Sequence, residues 1–141
     1  MDYKITELEE MIFITSEGSD REIALNNLNG YLEESNISSE GYYFIEVFTG
    51  GKVSGAMALA KVKTEPERSK KFRSSVLKSG TYLIFDLPYE VYVDTNKTGS
   101  NKELDIKGYL KEKGYKVSGF PFFEFLKDTN NEEIRVYVPI K

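Results

Sequence analysis

The chain of 141 residues has no cysteine, no histidine and no tryptophan. Without cysteine there is no disulfide, no thiolate nucleophile and no zinc site built on thiolates. Without histidine, the Ser-His and Cys-His catalytic pairs and His-ligated haem are excluded as well. A hard cation needs only carboxylates, but the sequence holds no Asp-rich loop of EF-hand type. No metal, cofactor or identifiable catalytic residue is therefore expected. Long apolar runs are missing too, and nothing approaches the ~18–20 residues of a membrane span. The first ten residues, MDYKITELEE, are acidic and lack an apolar stretch, so no signal peptide is read and a cytoplasmic location is expected. Clustered positive charge is scarce. The net charge is −4, and only ERSKKFR at 67–73 gathers Lys and Arg. A duplex-binding surface needs more than that, so no direct nucleic-acid contact is expected.

What the chain does have is aromatic residues, ten Tyr and nine Phe, with 40% hydrophobic and 30% charged residues. That composition suits one folded domain, here taken as 1–141. Tyrosine in such number fits a core and also a ligand pocket, since it offers a flat face with a polar tip.

The chain repeats itself. GYLEESNISSEGYYFIEVF (30–48) aligns without a gap with GYLKEKGYKVSGFPFFEFL (108–126), at an offset of 78 and with seven of nineteen positions identical. Among these are Gly30/Gly108, Tyr31/Tyr109, Phe44/Phe122 and Glu46/Glu124. Asn36 falls opposite Gly114, two residue types that tolerate the left-handed end of a helix. Upstream, Ser19-x-x-Glu22 and Ser100-x-x-Glu103 read as capping boxes ahead of helices. Downstream, AMALAKV (56–62) matches IRVYVPI (134–140), both alternating with period two. Before each helix lies an apolar run, MIFIT (11–15) and YLIFD (82–86). Between the second run and its helix lie about seven extra residues, within 87–99. There YEVYV is a candidate for an extra short strand, and Tyr89 and Tyr92 are candidates for a lid as an alternative to ordinary packing.

Each half thus reads strand–helix–strand–strand. Repeat one covers about 3–62, a charged linker 63–71, and repeat two 72–141. The leading strands are expected to be long and bent at Glu9-Glu10 and Ser79-Gly80. The expected fold is α+β: two pseudo-symmetric βαββ repeats forming one curved antiparallel sheet, with two helices on one face and a ligand cleft on the other.

Alternation assigns side chains to the two faces. Ile134, Val136, Val138 and Ile140 belong beneath helices, so Arg135 and Tyr137 point the other way. A glutamate is a poor fit beneath packed helices, which puts Phe122 and Glu124 on the helix-free face with Tyr137. By the repeat, Glu46 and Phe44 join Met57 there, and Met11 and Tyr82 are placed there too. Such a face is apolar around two carboxylates, a pattern that marks a binding site. Arg135 is a candidate ion-pair partner for Glu124.

Three stretches carry a family resemblance: KGYKVSGFPFFEFLKDTNNEEIRVYVPIK (113–141), SGTYLIFD (79–86) and the repeat itself. The chain resembles the gyrase-inhibitor-like, or bacterial transcription-activator effector-binding, domain, from Tyr3 to Lys141. The resemblance implies a central cleft for small molecules, lipophilic or cationic, and a link to transcriptional regulation or drug sequestration. It places a ligand-facing glutamate at Glu124 and a pocket tyrosine at Tyr82. The chain departs from it in lacking the tryptophan often found in that pocket and any helix-turn-helix segment. Two other readings stand beside this one: a small-molecule hydrolase using a cleft glutamate, and a protein-interaction domain of gyrase-inhibitor type. The sites expected to touch ligand are Glu124, Tyr82, Tyr137, Phe122, Glu46, Phe44, Met57 and Met11.

Overall fold

A computed structural model describes residues 2–66, 72–98, 105–126 and 133–141. The chain is α+β, with antiparallel strands, and its contacts cluster into two compact units. One comprises Met1–Glu9 with Ser79–Lys141, the other Glu10–Lys78.

In the Glu10–Lys78 unit, β2 (Met11–Gly18) leads into α1 (Arg21–Glu34). Strands β3 (Gly41–Thr49), β4 (Lys52–Val62) and β5 (Arg73–Leu77) follow. The strand order is β3-β4-β2-β5. Helix α1 starts one residue later than the Ser19 capping box predicts. Asp20 is the N-cap, its carboxylate accepting from the Ile23 amide at 2.9 Å. Asp caps as well as Ser, and here its reach to the third helical residue decides. The helix ends where expected: Asn36 takes φ 54° just past the cap. Its apolar stripe of Ala24, Leu28 and Leu32 is buried. Gly18 shows which sheet face it covers, because a Cβ there would lie 2.7 Å from the Ala24 nitrogen. Ile14, Ala58, Ala60 and Val62, buried on the same face, form the core beneath the helix.

In the other unit, β1 (Lys4–Leu8) pairs with β6 (Gly80–Pro88). Then come α2 (Tyr89–Thr98), α3 (Ile106–Lys113), β7 (Phe122–Leu126) and β8 (Glu133–Ile140). The order is β1-β6-β8-β7. Strand breaks fall at or next to the expected bends: β1 is separated from β2 at Glu9 and Glu10, and β5 from β6 at Lys78 and Ser79, one residue before the expected Ser79-Gly80.

The expected YEVYV strand is a helix instead, α2. Pro88 ends the strand, and Tyr89, Tyr92 and Val93 have helical spacing as well as alternation. Tyr92 is no lid. It is buried with its ring 4.9 Å from Phe123, while Tyr89 lies 6.0 Å from Phe125. Helix α3 is capped by Asp105, whose carboxylate accepts from the Gly108 amide at 2.9 Å. It ends on Gly114 at φ 84°. The expected Ser100–Glu103 box lies outside the described residues. Tyr109 of α3 packs on Tyr3, and Tyr3 on Phe85, so α2 and α3 cover one face of this sheet. Leu83, Leu110, Ile134, Val136, Val138 and Ile140 are buried in this unit. No described helix is long and apolar enough to cross a membrane.

Candidate functional site

In the unit that holds β6–β8, the site residues fall as alternation predicts. Phe122 pairs with Tyr137 and Glu124 with Arg135 across β7 and β8; Ile84 pairs with Tyr137 and Asp86 with Arg135 across β6 and β8. All of these side chains lie on the sheet face away from α2 and α3. Phe122 stacks parallel to Tyr137, with centroids 4.9 Å apart and planes at 5°. Tyr82 meets Phe122 edge to face at 6.0 Å. The three rings are buried. Burial raises the Tyr82 phenol pKa and so keeps it neutral.

Glu124 is half-buried and accepts a hydrogen bond from the Tyr137 hydroxyl, 2.8 Å from its Oε1. The candidate Arg135–Glu124 ion pair is not the one that Arg135 makes. Arg135 instead makes a two-point contact with Asp86, Nε to Oδ1 at 2.8 Å and Nη2 to Oδ2 at 3.2 Å. That bond, more than any other influence, pushes the guanidinium pKa above its ordinary value. The alternation Tyr82, Ile84, Asp86 places Asp86 on this face as well. The hydrogen-bond donor to Glu124 is therefore a phenol and not a cation.

Tyr137 also borders a groove on the same face, about 610 Å³ in volume. Lys4, Thr6, Ile84, Asp86 and Arg135 line it. Tyr137 thus joins the groove to the ring cluster.

The Glu10–Lys78 unit corrects the other half of the expectation. Phe44 pairs with Ala58 and Glu46 with Ala56, which puts both on the face covered by α1. Arg21, from the first turn of α1, sits over the Phe44 ring at 5.8 Å. Glu46 and Phe44 therefore do not share the helix-free face. Tyr43, Ile45, Met57, Leu59, Phe13 and Met11 occupy that face in this unit. The sheet positions matching Phe122 and Glu124 are Tyr43 and Ile45, not Phe44 and Glu46.

The cause is one residue. Glu40 donates its backbone N–H to Lys61 O, and Ser118 does the same to Pro139 O, so the offset of 78 still holds there. Three residues on, Tyr43 pairs with Leu59; the matching pair, Phe122 with Tyr137, is reached four residues after Ser118. The extra residue lies in Gly119-Phe120-Pro121. Pro121 has no N–H for a ladder, and Phe120 is turned out, 87% exposed. A slip of one residue exchanges the faces of the whole strand.

Among the described residues no group of three or more carboxylates is placed to hold a metal ion. No family model and no curated protein matches the sequence. Solved structures do match in fold. The chain is similar to EcmrR in its DNA complex, with TM-score 0.66 and 10% identity over 99% of this chain, and it spans 57% of that chain. It is similar to the EcmrR C-terminal domain alone, with TM-score 0.64, 9% identity and coverage of 99% and 97% of the two chains. A hydrolase from Listeria innocua gives TM-score 0.60 at 10% identity, over 99% and 91%. SAV2435 bound to tetraphenylphosphonium gives 0.51 at 11%, over 100% and 94%. The fold of this chain is that of the EcmrR C-terminal domain and SAV2435, the gyrase-inhibitor-like fold.

Proposed function

We propose that the chain binds small amphipathic molecules carrying a positive charge, and that Glu124 is the group that selects the charge. The observation that carries this reading is the Glu124 carboxylate, half-buried among aromatic side chains while Arg135 is held by Asp86. A lipophilic cation gains from each ring face it meets, by about 0.5–2 kcal/mol, and from the carboxylate more strongly as water is excluded. The groove at Tyr137 provides the approach, and its Lys4, Asp86 and Arg135 suit a polar extension on the ligand. Two fold relatives support the reading: SAV2435 is bound to tetraphenylphosphonium, and EcmrR is found in a DNA complex. Ligand binding here serves transcriptional regulation or sequestration of such compounds. Titration calorimetry with tetraphenylphosphonium tests it. Measurable binding by the wild type, lost on Glu124→Gln, is expected; equal affinity of the two proteins excludes Glu124 as the charge-selecting group.

A second reading has one observation in its favour. The Tyr137 hydroxyl bound to Glu124 at 2.8 Å is an acid–base pair of the kind that activates water, and one fold relative is a Listeria innocua hydrolase. Recovering bound ligand unchanged after long incubation argues against it; product that disappears with Glu124→Gln argues for it.

A further inference from the structure

The repeat pairs Gly30 with Gly108, yet the structure gives only one of them a reason. At Gly108 a Cβ would lie 2.2 Å from the Asp105 carboxylate that caps α3. A Cβ there would displace the capping carboxylate, so glycine serves the cap. Gly30 sits in the body of α1, outside the positive-φ residues, and a Cβ on it would meet nothing within 4 Å. Neither packing nor backbone conformation asks for glycine. In such a place glycine costs helix stability relative to alanine.

What Gly30 does is leave a groove open. A cavity of about 680 Å³ runs along α1 between this helix and β2 and β5. That volume is in the range of small-molecule sites, roughly 300–1,000 Å³. Asn27, Gly30, Tyr31 and Glu34 follow helical spacing of three and four residues, so they form one stripe of α1, and all four line the cavity. The apolar stripe of Ala24, Leu28 and Leu32 is spent on the sheet. Tyr31 stacks on Phe72, with centroids 4.1 Å apart and planes at 19°, making a flat aromatic wall. Asn26 and Asn27 each offer an amide with donors and an acceptor. Glu17 and Glu34 outnumber Arg73 among the charged groups of the lining.

We propose that this groove is a second small-molecule site, for a flat heteroaromatic or aryl amidine that is neutral or singly positive. Its ring lies against the Tyr31–Phe72 wall, and its edge of donors and acceptors meets the Asn26 and Asn27 amides. Gly30 is the floor that gives the ring room, and Glu34 adds attraction for a positive edge.

Amide NMR titration of the full chain, with benzamidine and with adenine as probes, tests it. Shifts confined to residues 15–17, 26–34 and 72–73, saturating with Kd of about 1 mM or tighter for at least one probe, are expected. Gly30→Leu, which fills the floor with a good helix former, should weaken that binding about tenfold or more, whereas Gly30→Ala should keep most of it. Asn27→Ala, at an exposed position, should weaken it severalfold with the fold intact, and Glu124→Gln should leave it unchanged. Absence of shifts in these residues with both probes overturns the proposal. So does undiminished binding by Gly30→Leu, or by Asn27→Ala where Gly30→Leu fails to fold.

Discussion

In the Glu10–Lys78 unit Phe13 meets Tyr43 edge to face at 5.5 Å and 75°. In the other unit Tyr82 meets Phe122 edge to face at 6.0 Å and 73°. Both pairs sit on helix-free faces at matching sheet positions: Phe13 opposite Lys61, Tyr82 opposite Pro139. The ring geometry is thus duplicated, but the charge is not. Where one unit carries Glu124, the other carries Ile45. Where one carries Arg135, the other carries Met57. The two copies of one aromatic platform differ in whether they hold a carboxylate, so the proposed recognition of a cation would belong to only one of them.

The largest expected effect comes from removing a ring. Phe122→Ala takes away the stack on Tyr137 and the edge contact with Tyr82 at a buried position, and should cost about 3–5 kcal/mol in urea unfolding. Tyr43→Ala should be comparable if the two platforms are alike in packing. A much smaller cost for either would show that its rings are not part of a packed core. Asp86→Asn sharpens the electrostatic half. The Arg135–Asp86 pair has side chains 39% and 41% exposed, so its loss should cost less than about 1 kcal/mol of stability. Its effect on binding should be larger: Arg135, released, turns to Glu124 and weakens cation affinity severalfold. Unchanged affinity would mean that Asp86 does not keep Arg135 from Glu124.

The helix ends offer a similar comparison. Asn36 and Gly114 both take positive φ, 54° and 84°. Gly114→Ala should destabilise by about 1 kcal/mol, and Asn36→Gly should be neutral or slightly stabilising, both read as shifts in unfolding midpoint. The smallest effect concerns pH. The Tyr82 and Tyr3 phenols are raised above the ordinary value of 10.0, foremost by burial. The folded state therefore holds these protons more tightly than the unfolded state. Stability from this source is whole below pH 10 and falls as pH rises through the folded values. Tyr82→Phe should flatten the fall in melting temperature above pH 10; an unaltered slope would remove Tyr82 as a contributor.

The pattern of the fold was written plainly. The two bends, the helix ends at Asn36 and Gly114, and the period-two strands needed only alternation, breakers and the repeat. The site around β7 and β8 was legible for the same reason, since Glu124 and Tyr137 follow from the face that Val136 and Val138 cannot occupy. The error over Glu46 and Phe44 came from carrying a gap-free alignment through GFPFF. Pro121 was the available signal: a residue with no N–H in a strand marks a break in pairing, where an extra residue enters. Aligning MIFIT with YLIFD sets Met11 against Tyr82, whereas in the sheets Phe13 matches Tyr82; the two differ by two residues, and a shift of two keeps every side chain on its face. The helix at α2 was lost because Tyr89, Val91, Val93 and Tyr92 satisfy both periods. The Asp86–Arg135 contact was lost because charge pairing depends on which neighbour's geometry is better, which spacing alone does not rank.

The central claim is that two glutamates with matching sequence surroundings have different work. Tetraphenylphosphonium affinity measured by calorimetry for Glu124→Gln and Glu46→Gln tests it most directly. Glutamine in place of Glu124 keeps the acceptor for the Tyr137 hydroxyl, so the change is one of charge rather than fold. The account predicts a loss of about tenfold or more for Glu124→Gln and wild-type affinity for Glu46→Gln. Equal losses in the two variants, or a loss only in Glu46→Gln, would contradict it.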